Sequence, residues 1–184
     1  MRQDPKDKKD KKKTQSKKGK KRRPKAPKPS RVSAGLLMYR HRNGRLQVFL
    51  GHPGGPYFTS KDEGAWTIPK GEVEGQDDLL LTACREFQEE TGIEPHGPYF
   101  DLGQIQQRGG KIVHGWAFEG DHEDDQQIVS NTFTMEWPPH SGRKQKFPEL
   151  DRAVFFDATT AREKIKSTQA PFIDTLEAQL RGRT

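Results

Sequence analysis

Three glutamates, Glu86, Glu89 and Glu90, crowd into the stretch TACREFQEETG at 82–92. Spacings of three and four residues put them on one face of a helix, where each like-charged pair destabilises it by roughly 0.2–0.5 kcal/mol. Arg85 is the only local counter-charge, at i,i+4 to Glu89, and one guanidinium cannot neutralise three carboxylates. A divalent cation can, because carboxylate oxygens suit hard ions such as Mg²⁺. The ordinary alternative is a solvated acidic helix face, which is what most charge clusters are. The flanking residues argue against it.

Counting from Gly71, five residues lead to Asp77 and seven more to Arg85. Glu86, Phe87, Gln88, Glu89, Glu90, Thr91, Gly92 and Ile93 follow without a gap. This order resembles the Nudix box, glycine–five–acid–seven–Arg-Glu-apolar-any-Glu-Glu-any-Gly-apolar, at every fixed position but one. The family has Glu where this chain has Asp77, a side chain one methylene shorter with the same charge. A pattern of this length is far more specific than a lone glycine loop. The resemblance implies an α/β fold, a Nudix-type α/β/α sandwich with a mixed β-sheet, over residues 31–184. It also implies metal-dependent hydrolysis of phosphoanhydride bonds in nucleoside-diphosphate-linked compounds.

By the same resemblance, Glu86, Glu89 and Glu90 are expected to bind Mg²⁺ or Mn²⁺, with the Gly71 carbonyl as a further ligand. Arg85 is expected to orient a glutamate rather than touch substrate. Family members differ in the residue that serves as general base. A carboxylate of the helix is favoured here, and Glu149 of Phe147-Pro148-Glu149 is the candidate outside it. The approach Trp66-x-x-Pro69-Lys70-Gly71 resembles that of Nudix enzymes acting on diadenosine polyphosphates and diphosphoinositols. The stretches HPGGPYFTSKDEGAWTIPKGE, FPELDRAVFFD and APFIDTLEAQL resemble a bacterial diadenosine-polyphosphatase-like group. The expected substrate is therefore a dinucleoside polyphosphate of the diadenosine tetraphosphate type. The alternative is a non-catalytic nucleotide sensor or RNA-associated module on the same fold, which the single departure at Asp77 favours and the intact glutamates oppose.

Other residues are candidates on chemistry alone. Lys70 can hold a phosphate oxygen as a point charge. Arg143 and Lys144, with Lys146, form a basic run near Trp137 and Phe147, where cations could hold phosphates while aromatics stack a base. A solvated loop is the plainer reading of that run. For Trp66 the plainer reading is packing over the sheet edge. The six histidines show no zinc-type pairing, and there is no P-loop or Gly-x-Ser-x-Gly elbow.

The elements that must position these residues read as follows. Residues 31–40 and 45–50 form two strands around Asn43-Gly44, followed by a Gly/Pro-rich loop at 52–64. The motif helix begins at a cap from Asp77 or Asp78, packs through Leu80, Ala83, Cys84 and Phe87, and stops at Gly92. That arrangement leaves the carboxylates away from the packed stripe. An antiparallel pair at 99–107 and 111–119, a strand at 128–135 and a short strand at 153–157 follow. Helices at 159–165 and from Pro171 to Leu180 close the chain.

Composition divides the chain in two. Residues 1–30 hold 15 Lys/Arg and 3 Asp/Glu, a charge of +12, and no aromatic residue. Residues 31–184 hold 18 basic and 23 acidic residues, a charge of −5. The basic segment cannot bury enough apolar surface to offset its chain entropy, so a disordered tail is expected. Such an arm could dock non-specifically on nucleic acid, or simply confer solubility. No apolar run approaches membrane-spanning length, and the basic N-terminus lacks a signal-peptide core. Cys84 is the only cysteine, which suits a reducing, cytoplasmic compartment. Oligomeric state leaves no mark in the sequence.

Overall fold

β1 (Val32–Arg42) and β2 (Arg45–Pro53) meet at Asn43-Gly44, where φ is +53° and +71°. Two positive values in succession are what a type I′ hairpin needs, and Asn-Gly supplies them with least strain. The computed structural model describes residues 31–123 and 127–182, so the expected basic tail lies outside the described residues.

β1 is the centre of a mixed sheet, and every residue from Ser33 to Arg40 is buried. A near-continuous apolar run of this kind marks a strand covered on both faces. β3 (Lys70–Glu72) pairs with Ser33–Gly35, while β2 pairs with Tyr39–Arg42. The two therefore share one edge of β1, and the chain between them returns through Thr67, which pairs with Gly51 of β2. The opposite edge of β1 takes β5 (Ile112–Glu119) in parallel, and β4 (Tyr99–Gln106) lies antiparallel outside it. β8 (Leu150–Asp157) pairs antiparallel with β2.

Side-chain alternation along β1 feeds two cores. Ala34, Leu36 and Met38 pack with Ala83 and Phe87 of α1 (Leu79–Thr91). Leu37 and Tyr39 join Ala161 of α2 (Ala158–Lys164) and Phe172, Ile173 and Leu176 of α3 (Ala170–Arg181). Helices thus cover both faces. Gly115 permits the second layer to close, because a Cβ there would stand 2.7 Å from the Phe172 ring. No helix among the described residues is long and apolar enough to cross a membrane.

The predicted hairpins, the motif helix and both terminal helices are present. Asp78, rather than Asp77, caps α1, its side chain accepting the Leu81 N–H at 2.9 Å. Gly92 ends the helix in the left-handed region at φ +75°. Three local readings change. The strand expected at 128–135 begins only at β6 (Thr132–Glu136), because the preceding residues serve the helix end instead. Val129 N–H donates to Thr91 O at 3.0 Å and Asn131 N–H to Glu89 O at 2.8 Å, satisfying carbonyls that the last turn leaves without partners. The basic run read as a loop forms β7 (Lys144–Pro148), paired with β6 in a separate two-stranded sheet. Finally, Lys70–Glu72 is a strand, although three polar or small residues carry no strand signal.

Candidate active site

The buried face of α1 is wider than its apolar stripe. Ala83 and Phe87 enter the core, while Glu86 and Glu90, one turn apart, flank them toward β3. Glu86 is 8% and Glu90 5% exposed, and only Glu89 of the three is open to solvent. This corrects the expectation that the carboxylates stand away from the packed side. They are held against the strand that carries the motif glycine.

Each acid has a distinct restraint. Glu90 Oε2 accepts the Lys70 backbone N–H at 2.9 Å. Arg85 joins the other two: Nη2 lies 2.7 Å from Glu86 Oε1, and Nη1 donates to Glu89 Oε2 at 3.1 Å. The guanidinium thus orients two glutamates at once. Gly71 is required for space and not for backbone freedom. A Cβ built there would fall 1.8 Å from Glu86 Oε2, so the carboxylate occupies the volume that a side chain would fill. We therefore expect Gly71→Ala to leave the fold intact, since only a flexible carboxylate must yield, while turnover falls by about 10–100-fold. Thermal melting beside a rate assay checks this; loss of folding would assign Gly71 a backbone role instead.

Burial is the leading influence on the charges. It pushes the Glu90 carboxyl up to about 8, with Lys70 opposing and the Glu149 and Glu86 charges reinforcing the shift. Burial also raises Glu86, against the pull of Arg85. The Lys70 ammonium is lowered by burial and held up in part by Glu90. Acids and lysine are each drawn toward neutrality, the condition of a site prepared for a charged guest.

A cleft of about 280 Å³ opens beside these groups, where β2 and β3 part along β1. Lys70, Glu90, Glu149 and Lys166 line it with Phe58 and Phe133. Glu149 is placed by backbone alone: its N–H donates to Asn131 O at 2.9 Å and its carbonyl accepts from Gly54 N–H at 2.8 Å. Since Asn131 N–H is bonded to Glu89 O, one hydrogen-bonded path ties Glu149 to the end of α1. Lys166, in the turn before α3, was not foreseen. A lysine between two helices carries no sequence signal, and only the fold brings it to the cleft. Burial first, then the charges of Lys70 and Lys111, pulls its ammonium to about 8.

Arg143 and Lys144 are exposed on the β6–β7 hairpin and do not line this cleft. Trp137 packs edge-on to Tyr57 at 5.2 Å. Trp66 is a packing residue, 3% exposed, with its ring against Phe156 and its indole N–H on Asp62 at 2.8 Å. His52 is fully buried between Asp151 and the Lys61 carbonyl, both at 2.7 Å, and braces the 54–64 loop. Cys84 is half-buried beside the α1 core.

Among the described residues, no three acidic, cysteine or histidine side chains converge as a ready-made cation cage. The donor chemistry nonetheless fits a hard divalent ion. Glu86, Glu89, Glu90 and the Gly71 carbonyl offer only oxygen, and Glu86 fills the space above Gly71.

The NUDIX domain family model matches residues 29–176. Among solved structures, an Ap4A hydrolase binary complex from C. elegans is 21% identical, with a TM-score of 0.59, over 82% of this chain and 98% of that one. The NUDIX domain of Shewanella oneidensis NrtR, complexed with ADP ribose, is 13% identical, with a TM-score of 0.58, over 86% and 94%. A MutT protein from Methanosarcina mazei is 18% identical, with a TM-score of 0.52, over 85% and 99%. Comparison with curated protein sequences gives no match. These likenesses establish the mixed-sheet fold, and the family model spans the motif, both cores and the cleft. The chain belongs to the Nudix hydrolase family.

Proposed function

We propose that this chain hydrolyses a phosphoanhydride bond of a dinucleoside polyphosphate, with diadenosine tetraphosphate as the representative substrate. The observation that carries the reading is the cleft in which Glu90 and Glu149 face Lys70 and Lys166. Carboxylates suit a cation and a water, and lysines suit phosphate oxygens, so one cavity offers both halves of the reaction. The C. elegans Ap4A hydrolase, as a structural neighbour, supports this substrate class without carrying it.

A phosphoanhydride resists water because its anionic oxygens repel the nucleophile. Mg²⁺ or Mn²⁺, held by Glu86, Glu89, Glu90 and the Gly71 carbonyl, would neutralise that charge and acidify water. The chain's own groups do the remaining work. Arg85 fixes Glu86 and Glu89, and the Lys70 N–H fixes Glu90. Lys70 and Lys166 orient the polyphosphate, while Phe58 and Phe133 exclude water from the walls. The general base is Glu90 or Glu149, the two carboxylates that line the cleft. Exposed Arg143 and Lys144 would contact only a substrate that extends over the hairpin.

The test is a substrate panel with Mg²⁺, read as released phosphate and mononucleotide. Diadenosine tetraphosphate should be cleaved, and chelation should abolish cleavage. Tight binding of a non-hydrolysable analogue with no turnover would favour the nucleotide-sensor alternative. For residues 1–30, the +12 charge supports non-specific contact with nucleic acid. RNA retention unchanged by their deletion, at low and moderate salt, would remove that contact. A reducing, cytoplasmic setting is supported by the single cysteine.

A further inference from the structure

A second cavity, of about 350 Å³, adjoins the carboxylate cleft and shares Lys166 with it. Two backbone-braced turns build it. The β4–β5 turn supplies Gln107 and Arg108 and is closed by Gln107 N–H to Lys111 O at 2.8 Å and Gly110 N–H to Gln107 O at 3.1 Å. The α2–α3 turn supplies Lys166, Ser167 and Thr168. It is closed by Gln169 N–H to Lys166 O at 2.7 Å and anchored by Lys166 N–H to Trp66 O at 2.9 Å.

Unlike that of the cleft, the lining contains neither a carboxylate nor an apolar side chain. Each of its side chains offers a hydrogen-bond donor, and two of them are cations. The Gln107 Nε2 is buried without a hydrogen-bond partner, and a buried amide donor is ordinarily paired. Arg108 is exposed and makes no ion pair among the described residues. Lys70, Lys111 and Lys61 stand close enough to act on the Lys166 charge, with Glu90 opposing them, so cations outnumber anions at the junction of the two cavities. Glu90 and Glu149 offset lysines in the cleft, whereas Arg108 has no such opposition. A planar guanidinium beside amide and hydroxyl donors matches the several oxygens of a phosphate.

We propose that this cavity is a second anion subsite, which holds the phosphates of the substrate distal to the bond being cut. The inference rests on the reading of the substrate as an extended polyphosphate. Lys166 is the joint: it touches the chain of phosphates in the cleft and passes it to Arg108 and Gln107. A substrate ending at a diphosphate would not reach the subsite, so Arg108 selects for length.

The test uses the full chain and two readouts. Titration with inorganic tripolyphosphate, without metal, should shift the Gln107 side-chain amide and Arg108 Nε NMR signals saturably. Lys166→Gln should weaken that response at least fivefold. Arg108→Gln, a change at an exposed position, should raise KM for diadenosine tetraphosphate about five- to tenfold with kcat held. Absent shifts at Gln107 and Arg108, or an unchanged KM, would overturn the subsite. If diadenosine tetraphosphate is not turned over at all while the tripolyphosphate shifts appear, the substrate reading fails and the anion subsite stands.

Discussion

Glu90→Gln is expected to reduce turnover by about 10²–10³-fold with little change in KM, and Glu89→Gln to do the same. The substitutions keep shape and remove charge, so they isolate the electrostatic role from packing. In Glu90→Gln the side-chain oxygen can still accept the Lys70 N–H that Glu90 accepts at 2.9 Å. In Glu89→Gln, Arg85 keeps its contact with Glu86 at 2.7 Å. Whatever falls then measures the loss of a negative oxygen, which on the proposed reading would face cation and phosphate. Steady-state rates with Mg²⁺ on folded samples decide the matter. Full activity in the double variant would reject the assigned site.

The same Glu90→Gln variant should be the more stable protein, and more so at high pH. The Glu90 carboxyl is raised from 4.5 to about 8, chiefly by burial, so the folded state favours its protonated form. Its favourable contribution is complete below about pH 4.5 and is lost progressively as pH rises toward 8. Glu86 is raised as well and acts in the same direction. For Glu90 alone the loss is on the order of 2–4 kcal/mol, given about 1.4 kcal/mol per pH unit and relaxation around the charge. Removing the charge should raise Tm by about 5–10 °C at pH 8 and by very little at pH 5. Mg²⁺ should restore the wild type over the same pH window. Equal Tm differences at both pH values would show that Glu90 is not strained by its burial.

Lost activity paired with gained stability is what the proposed site predicts of the motif. A chain that needed only a fold would place Leu or Gln where Glu90 sits, 5% exposed against β3. On the proposed reading, the glutamate is tolerated because the site needs a charge that its surroundings oppose.

The sequence carried some of this and hid the rest for specific reasons. The hairpin at Asn43-Gly44, the cap near Asp78 and the stop at Gly92 are local chemistry, and each appears where its residues demand. The linear order of the motif is equally local. The direction in which its acids point is not. A stripe of Ala83 and Phe87 leaves the adjacent flank of α1 undefined, and only the docking of β3 turns Glu86 and Glu90 inward. Glu149 was a candidate with no visible connection to the helix. The backbone path through Asn131 supplies it, and that path arises because residues 129–131 bond to the helix end. Lys166 and Arg108 sit in turns whose meeting depends on how α3 packs under β5. Lys144 and Lys146 lie in a strand that polar residues conceal.

The proposed hydrolysis requires that the α1 glutamates share a divalent cation beside β3. Titration of Mn²⁺ into the isotopically labelled full chain tests it most directly. Paramagnetic broadening should appear first at the amides of Lys70, Gly71 and Glu86–Glu90, and Glu90→Gln should shift it to roughly tenfold higher Mn²⁺. Sharp signals at those positions in a folded sample, with nucleotide absent or present, would contradict the claim.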